Sequence, residues 1–247
     1  MIAVFVKNKK FFIISDIHGK YDMFEKMLGH WNKDTEQLII LGDLIDRGED
    51  SLKVVKKAMT LKDNYGAIIL MGNHEDMFLS WLREPHSCYG EHIATLRAFN
   101  ESEVSIHRLL PEKLARLTIE NNPKSISFLK GLPDYVEADN YIFVHAGVDL
   151  SLDDWKDTYP VDFKWIREPF LSKENKTGKR VVFGHTPTPF LNEDKSNNVW
   201  VSSDKTKIGI DGGAVFKGVL HGLRIDDNEV SAVSITAEGD TIISDIV

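Results

Sequence analysis

Short apolar runs that stop at a glycine beside an acid, an amide or a histidine recur six times along the chain. The clearest example is Leu-Ile-Ile-Leu at 38–41, which leads into Gly42 and Asp43. A strand buried on both faces is an unbroken apolar run, and in open α/β sheets ligands collect beyond the carboxyl ends of such strands. The polar residues at these junctions are therefore candidates for chemistry. They are Asp16, His18, Asp43, Asp46, Arg47, Asn73, His74, His145, His185 and Asp211.

Turn formation is the simplest alternative explanation of these junctions. Asp, Asn and Gly are also the ordinary residues of turns, so one such junction carries little information. Six of them, several carrying histidine, disfavour that explanation. We interpret the set as one site assembled from several strand ends.

The side chains at the junctions are suited to divalent cations. Asp, His and Asn together are the ligand set of Mn²⁺, Fe or Zn²⁺, and the absence of cysteine from every junction disfavours a structural zinc cluster. Asp16 and His18 lie two apart on a chain that we expect to be extended, so both should point toward one ion. Asp43 can bridge to a second ion. The ligands available for that second ion are Asn73, His145 and His185.

Two adjacent cations would define the chemistry. Ions about 3.5–4 Å apart clamp the attacking and leaving oxygens of an in-line displacement at phosphorus, and they lower the pKa of a shared water. The planar guanidinium of Arg47 suits phosphoryl oxygens better than a lysine would. These residues predict metal-assisted hydrolysis of a phosphoester.

The ordered motifs resemble the signatures of the PPP-type, calcineurin-like metallophosphoesterases. They are Asp-Ile-His-Gly at 16–19, Gly-Asp-Leu-Ile-Asp-Arg-Gly at 42–48, Gly-Asn-His-Glu at 72–75, His-Ala-Gly at 145–147 and Gly-His-Thr at 184–186. The resemblance is closest to the small bacterial and bacteriophage lambda-type serine/threonine protein phosphatases and spans about 16–211. It implies an α/β sandwich of two mixed β-sheets flanked by helices.

The resemblance also implies the metal ligands. Asp16, His18 and Asp43 would hold the first ion. The second ion would be held by Asp43, Asn73, His145 and His185. Manganese is the expected metal, with Fe or Zn²⁺ as alternatives.

Further roles follow from the same resemblance. His74 would act as the general acid, with Asp46 orienting it and keeping it protonated. Arg47, Arg167 and Asn73 would contact the phosphate. For Arg167 the alternative is a surface arginine that pairs with Glu168 or Asp162. Asp211 is expected to be a structural residue rather than a ligand.

The activity implied is hydrolysis of phosphoserine and phosphothreonine in proteins, extending to phosphotyrosine, by direct attack of metal-bound hydroxide. The alternative is a bis(5′-nucleosyl)-tetraphosphatase. Symmetric hydrolases of dinucleoside tetraphosphates usually lack an acid at the position of Asp46, which favours the phosphatase. A catalytically inactive scaffold is disfavoured because every expected ligand and His74 are present.

Composition sets broader limits. The chain has 247 residues, a net charge of −8 and one cysteine, Cys88, so it contains no disulfide framework and a reducing compartment is expected. No apolar run approaches the ~20 residues of a membrane helix, and no signal peptide is evident. We therefore expect a cytoplasmic protein that binds neither membrane nor nucleic acid. Phosphorylated proteins and phosphorylated small molecules remain compatible partners, because bound cations can reverse the local charge.

Apolar periodicity predicts the supporting elements. Strands at 11–15, 38–41 and 67–71 alternate with helices at 20–31 and 50–61, which indicates a right-handed parallel β-α-β-α-β unit. A strand at 1–6 should join the strand at 11–15 through a turn. Residues 74–132 are predicted to form a helical insertion that covers the sheet or lines a substrate groove. Its helices are expected at 75–83, 112–120 and 123–130. Its histidines, His86, His92 and His107, are expected at the surface.

Strands return after Pro133. They are expected at 135–137, 141–144 and 180–183, with a helical turn at 151–155 and a loop at 164–170. The tail at 199–202, 207–210, 218–225 and 229–236 should form an antiparallel meander as a second sheet. We expect one metallophosphoesterase domain over 1–247.

Overall fold

A layer of apolar side chains separates two six-stranded sheets. The computed structural model describes residues 3–6, 10–87, 90–100, 109–227 and 229–246. The first sheet contributes Phe11, Ile13 and Ile39 to this layer, and the second contributes Phe143 and Val182. Alternate strand residues point to opposite faces, so one face of each sheet builds this shared core.

The first sheet is mixed, with the strand order β12-β11-β10-β2-β3-β4. Its strands are β2 (Lys10–Ile14), β3 (Gln37–Ile40), β4 (Ile68–Ile69), β10 (Val219–Asp226), β11 (Glu229–Thr236) and β12 (Thr241–Asp245). The strands β2, β3 and β4 are parallel, with Ile13 opposite Ile39, as the β-α-β-α-β pattern predicted. Strands β10, β11 and β12 form an antiparallel meander that joins β2.

The second sheet is also mixed, with the order β1-β5-β6-β7-β9-β8. Its strands are β1 (Ala3–Phe5), β5 (Tyr135–Glu137), β6 (Tyr141–Val144), β7 (Arg180–Phe183), β8 (Trp200–Val201) and β9 (Lys207–Gly209). Strands β6, β7 and β9 run parallel to one another. The prediction of two mixed sheets flanked by helices is confirmed.

Helices cover the outer face of the first sheet. They are α1 (Tyr21–Leu28), α2 (Ser51–Tyr65), α3 (Asn73–Arg83), α4 (Ile93–Phe99), α5 (Pro111–Asn121) and α6 (Pro123–Lys130). Phe12 and Ile14 of β2 point into this helical layer, where they join Phe24 and Val54 in one buried cluster. No helix in the described ranges is both long and apolar enough to cross a membrane.

A smaller layer of helix and loop segments packs on the outer face of the second sheet. It includes the short helix α7 (Asp162–Trp165) and the segments on either side of it. Val144 and Phe183 pack there against Trp155, Phe163 and Phe170, all of which are buried. This layer holds the loops that follow β6 and β7 in place.

Several expectations about the elements are wrong. The first two strands are present, and most of the turn expected between them lies outside the described residues; β1 adds to β5 in the second sheet while β2 lies in the first. The tail is not a separate sheet: β10–β12 extend the first sheet, and β8 and β9 belong to the second. The turn expected at 151–155 is instead a 3₁₀ turn at Trp155–Asp157. Three further elements, α4, α7 and β12, were not predicted; α4 and α7 are short, and β12 is exposed along its length, so none has a strong apolar pattern.

Candidate active site

The carboxyl ends of the central strands of both sheets bring the junction residues together. Asp16 and His18 follow β2, Asp43 follows β3, and His145 and His185 follow β6 and β7. Backbone hydrogen bonds join neighbouring loops, from the N–H of His18 to the carbonyl of Asp43 at 2.8 Å and from the N–H of Gly184 to the carbonyl of His145 at 2.8 Å. The side chains at this edge are almost completely buried; they are Asp16, His18, Asp43, Asn73, His74, His145 and His185.

Asp43 lies at the centre of the cluster. One of its carboxylate oxygens is 3.5 Å from Nε2 of His18, and the other is 3.5 Å from Nε2 of His145. The potential ligand atoms form two groups, His18 with Asp43 and His74, and Asp16 with Asp43 and His145, each within 4.8 Å. Asp43 belongs to both groups, which is the geometry required of a bridging ligand.

Asn73 brings two histidines together at its amide. Its Oδ1 is 2.9 Å from Nε2 of His145 and 2.9 Å from Nδ1 of His185. The other ring nitrogen of His185, Nε2, is buried and has no hydrogen-bond partner among the described residues. An amide oxygen and imidazole nitrogens converging in this way are suited to a shared cation.

Backbone carbonyls fix the tautomers of two histidines. Nδ1 of His145 donates to the carbonyl of Leu41 at 2.9 Å, and Nδ1 of His18 donates to the carbonyl of Ile45 at 2.8 Å. A carbonyl only accepts, so Nδ1 carries the proton and Nε2 presents a lone pair to the site. Burial also holds the pKa of each ring well below its usual value, so both are neutral. These are the properties of metal-binding imidazoles.

The buried carboxylates of the cluster require positive charge nearby in order to ionise. Burial raises the pKa of Asp16 well above its usual value, and repulsion from Asp211 adds to the effect. Burial and repulsion from Asp16 do the same to Asp43. Such acids ionise together only when cations compensate their charge. The residues present therefore fit divalent ions.

The loops that carry these groups have unusual backbone geometry. Asp16 and His18 have φ values of 52° and 45°, in the left-handed region that non-glycine residues rarely adopt. The expectation of an extended chain from 16 to 18 is therefore wrong. The same region is occupied at Asp43, Asp46, Arg47 and His185. Backbone of this kind clusters at functional sites.

The glycines beside the site residues allow close approach. A Cβ atom at Gly72 would lie 2.2 Å from Oδ1 of Asp43, and one at Gly184 would lie 2.1 Å from Oδ2 of Asp16. Any larger residue would push these carboxylates out of position. This explains the glycine at these two junctions.

Glu75 is a functional residue to which the sequence reasoning gave no role. Its fully buried carboxylate accepts the backbone N–H groups of Asp43 and Gly72 on one oxygen, at 2.9 and 3.0 Å. The other oxygen accepts those of Leu44 and Ile45, at 2.8 and 3.3 Å. Glu75 thus holds the loop that presents Asp43. Its position in Gly-Asn-His-Glu was a signal, since a glutamate in the first turn of a helix commonly caps backbone N–H groups.

Asn73 and His74 lie in the first turn of α3, which begins two residues before the helix expected at 75–83. The backbone N–H of His74 donates to Oδ1 of Asp43 at 3.0 Å, and its ring packs edge-on against His18. Nδ1 of His74 lies 2.8 Å from Oδ2 of Asp46. The structure thus brings Asp46 and His74 together as the resemblance implied.

The expectation that His92 lies at the surface is wrong. Its ring is buried, and its Nδ1 lies 2.9 Å from the same oxygen of Asp46. The hydroxyl of Thr95 donates to the other oxygen at 2.5 Å. Burial raises the pKa of Asp46, but hydrogen bonds from His74, His92 and Thr95 outweigh it and hold that pKa at about 2. The sequence pattern missed His92 because its partner is distant along the chain.

The two arginines lie at the rim. Arg47 is exposed; its guanidinium donates to Nε2 of His18 at 2.6 Å and lies 5.1 Å from the ring centre of Phe216. Arg167 is also exposed and donates to the carbonyl of His185 at 3.4 Å, so it lies beside the site.

Of the remaining candidates, Asp211 lies close enough to the cluster to repel Asp16. Asp211 is buried and accepts the N–H of Gly213 at 2.9 Å, and its pKa is raised to about 6 by burial. His86 is exposed, as predicted. His107 and Cys88 lie outside the described residues.

The chain belongs to the calcineurin-like phosphoesterase family, whose model matches residues 9–219. It is 28% identical to an asymmetrical bis(5′-nucleosyl)-tetraphosphatase, PrpE, of Bacillus cereus strain Q1, over 91% of this chain and 94% of that protein. The solved structure of a candidate diadenosine tetraphosphatase covers 99% of this chain and 97% of its own, with a TM-score of 0.63 and 19% identity. A cold-active protein-tyrosine phosphatase of a psychrophilic Shewanella covers 99% of this chain and 82% of its own, with a TM-score of 0.60 and 18% identity.

As a member of the calcineurin-like phosphoesterase family, this chain is a hydrolase. The buried His and Asp cluster is consistent with divalent metal binding. The prediction of a calcineurin-like metallophosphoesterase is confirmed.

Proposed function

We propose that this chain is a metal-dependent phosphomonoesterase that hydrolyses phosphoserine and phosphothreonine in proteins and also accepts phosphotyrosine. The observation that carries the proposal is the buried pair of His74 and Asp46, 2.8 Å apart beside the ligand cluster. A monoester with an alkoxide leaving group needs a proton donor, and this pair is built to supply one. We further propose that 1–247 is one domain, with 74–132 as a helical insertion, and that it acts in the cytoplasm.

Two divalent ions complete the proposed site. Asp16, His18 and Asp43 would hold one ion. The other would be held by Asp43, Asn73, His145 and His185. Bound there, such ions would supply positive charge at phosphoryl oxygens and lower the pKa of water. Mn²⁺ is our first choice, with Fe or Zn²⁺ as alternatives.

His74 is the proposed general acid. Asp46 has a low pKa and is therefore an acceptor, so Nδ1 of His74 donates to it and the ring keeps a fixed orientation. In the imidazolium form the other ring nitrogen, Nε2, also carries a proton; it gives that proton to the leaving oxygen, and the ring becomes neutral while Nδ1 still donates to Asp46. General-acid help of this kind contributes typically about 10²–10⁴-fold. Asp46 does not touch substrate in this scheme; it is a positioning residue.

Arg47 and Arg167 are the proposed phosphate-binding residues, together with the amide of Asn73. Both arginines are exposed at the rim and lie beside a ligand histidine. A guanidinium offers paired N–H groups that match two phosphoryl oxygens. This placement favours the role over that of an isolated surface arginine.

Hydrolysis of dinucleoside tetraphosphates is the second candidate. Its support is the Bacillus cereus relative, which matches this chain over 91% of its length. The leaving group there is a nucleotide phosphate, a much weaker base than a serine alkoxide. Such a reaction depends less on a protonated His74, so the buried acid pair favours the monoesterase.

A substrate panel tests the choice. Purified enzyme with added Mn²⁺ is assayed on a phosphoserine peptide, p-nitrophenyl phosphate and diadenosine tetraphosphate, with chelator-treated enzyme as control. We expect hydrolysis to require metal and kcat/KM to be highest for the phosphopeptide. A higher kcat/KM for the dinucleotide would replace the proposal with the second candidate, and full activity after exhaustive chelation would refute metal dependence.

A further inference from the structure

Asp46 is surrounded by hydrogen-bond donors that come from two different parts of the chain. Its carboxylate is completely buried and accepts from His74 and His92 on Oδ2 and from Thr95 on Oδ1. Its backbone N–H in turn donates to the hydroxyls of Thr95 at 2.9 Å and Ser51 at 3.2 Å. Both the carboxylate and the peptide of Asp46 are therefore fixed.

Two of the three donors to the carboxylate come from the segment of the helical insertion around α4, well beyond α3, which carries His74. His92 ends a 3₁₀ turn at Gly90–His92 and directly precedes α4, and Thr95 lies in the first turn of α4. The ring of His92 packs edge-on against Phe78 of α3, with ring centres 5.5 Å apart. The insertion therefore reaches the interior behind the proposed acid.

A carboxylate held by His74 alone could turn about its side-chain bonds. The additional bonds from His92 and Thr95 occupy both oxygens, so only one orientation satisfies every donor. That orientation also determines where the ring of His74 lies, because His74 bonds to the oxygen that His92 shares. A small displacement of a reacting group can cost a large factor in rate.

We propose that His92 is a positioning residue for the reaction: with Thr95 it holds the Asp46 carboxylate in the orientation that aligns His74 with the leaving group. This inference rests on the proposed acid role of His74. The insertion then has a function beyond covering the sheet, since its docking through α4 sets the geometry of the proposed acid.

Three variants test the role of His92. His92→Phe keeps an aromatic ring against Phe78 and removes the N–H. His92→Asn keeps an N–H close to the position of Nδ1. Thr118→Val is the matched control, because Thr118 is a buried polar residue of α5 in the same insertion that bonds to Asn100 and not to Asp46.

The readout is single-turnover hydrolysis of phosphoesters with progressively poorer leaving groups, from p-nitrophenyl phosphate through phenyl phosphate to a phosphoserine peptide. His92→Phe should lose about tenfold on the phosphopeptide, the scale typical of outer hydrogen-bond partners, and less than about twofold on p-nitrophenyl phosphate. His92→Asn should recover most of the loss. Thr118→Val should show the wild-type ratio of rates, and metal content should be unchanged in all three.

Equal losses of His92→Phe on every substrate, or no recovery in His92→Asn, would overturn the inference and leave His92 a packing residue. If His92→Phe does not fold, the comparison moves to the other carboxylate oxygen, with Thr95→Ser keeping the hydroxyl and Thr95→Ala removing it. A His74→Asn enzyme that loses rate equally on all substrates would instead refute the acid role itself, whatever the His92 variants do.

Discussion

Replacing Glu75 with glutamine should destabilise the loop that carries Asp43. Each carboxylate oxygen of Glu75 accepts two backbone N–H groups, and glutamine offers one oxygen and one amide nitrogen. Two buried N–H groups would then face another donor. At about 1–3 kcal/mol for each unsatisfied donor, the free energy of unfolding should fall by roughly 2–6 kcal/mol.

The assay is urea unfolding of chelator-treated enzyme at pH 7, so that bound metal does not contribute to stability. Glu120→Gln is the matched control, because Glu120 is exposed and lies 3.8 Å from Arg116 in a surface ion pair worth at most about 1 kcal/mol. Glu75→Gln should also weaken Mn²⁺ binding by roughly 10–100-fold in calorimetric titration.

A Glu75→Gln enzyme as stable as the Glu120→Gln control would refute the reasoning. Burial raises the pKa of Glu75, against the hydrogen bonds from the backbone that lower it. Unchanged stability would mean that Glu75 is held as the neutral acid, for which glutamine is a fair substitute. The four backbone N–H groups around residue 75 would then be satisfied without a charged carboxylate.

Three further outcomes are expected. Asp43→Asn should lose both metals and all hydrolysis, whereas Asp211→Asn should retain two metals by elemental analysis; equal metal loss would contradict the bridging role. His74→Asn should keep its metals but lose roughly 10²–10⁴-fold on a phosphoserine peptide and much less on p-nitrophenyl phosphate, and metal loss would instead make His74 a ligand. Burial lowers the pKa of His221 to about 4 from 6.5, so below pH 6.5 the unfolded chain binds a proton that the folded chain does not. The free energy of unfolding should therefore fall by up to about 3 kcal/mol between pH 6.5 and 4, and His221→Gln should flatten that dependence; parallel pH profiles would refute it.

The sequence by itself determined the central strands and the residues that follow them. The runs at 38–41, 141–144 and 181–183, which precede Asp43, His145 and His185, are apolar at every position because those parts of the strands are buried on both faces, and that signal is local. The carboxyl ends of neighbouring parallel strands meet at one edge of a sheet. Polar residues at those ends therefore predict a shared site. Local pattern also predicted β5, β6, β7 and β11 with their observed bounds.

Only the tertiary structure decided which sheet each peripheral strand joins. The pairing of β1 with β5 and of β10 with β2 links segments far apart in sequence, and an apolar alternation is equally consistent with either sheet. The left-handed backbone at Asp16 and His18 likewise arises from the packing of loops against one another, since neither residue type requires it.

The same limit applies to the groups behind the site. The carboxylate partner of His92 lies 46 residues away, so nothing near His92 in sequence indicates that contact. The position of Glu75 in Gly-Asn-His-Glu signals that it caps backbone N–H groups such as that of Gly72, but not that it also holds Asp43, 32 residues away. A lone histidine in a polar helical segment is most simply a surface residue. His92 is instead buried because α4 packs against α2, where the hydroxyls of Thr95 and Ser51 meet, and this packing carries His92 to the Asp46 carboxylate. That packing is a property of the folded core.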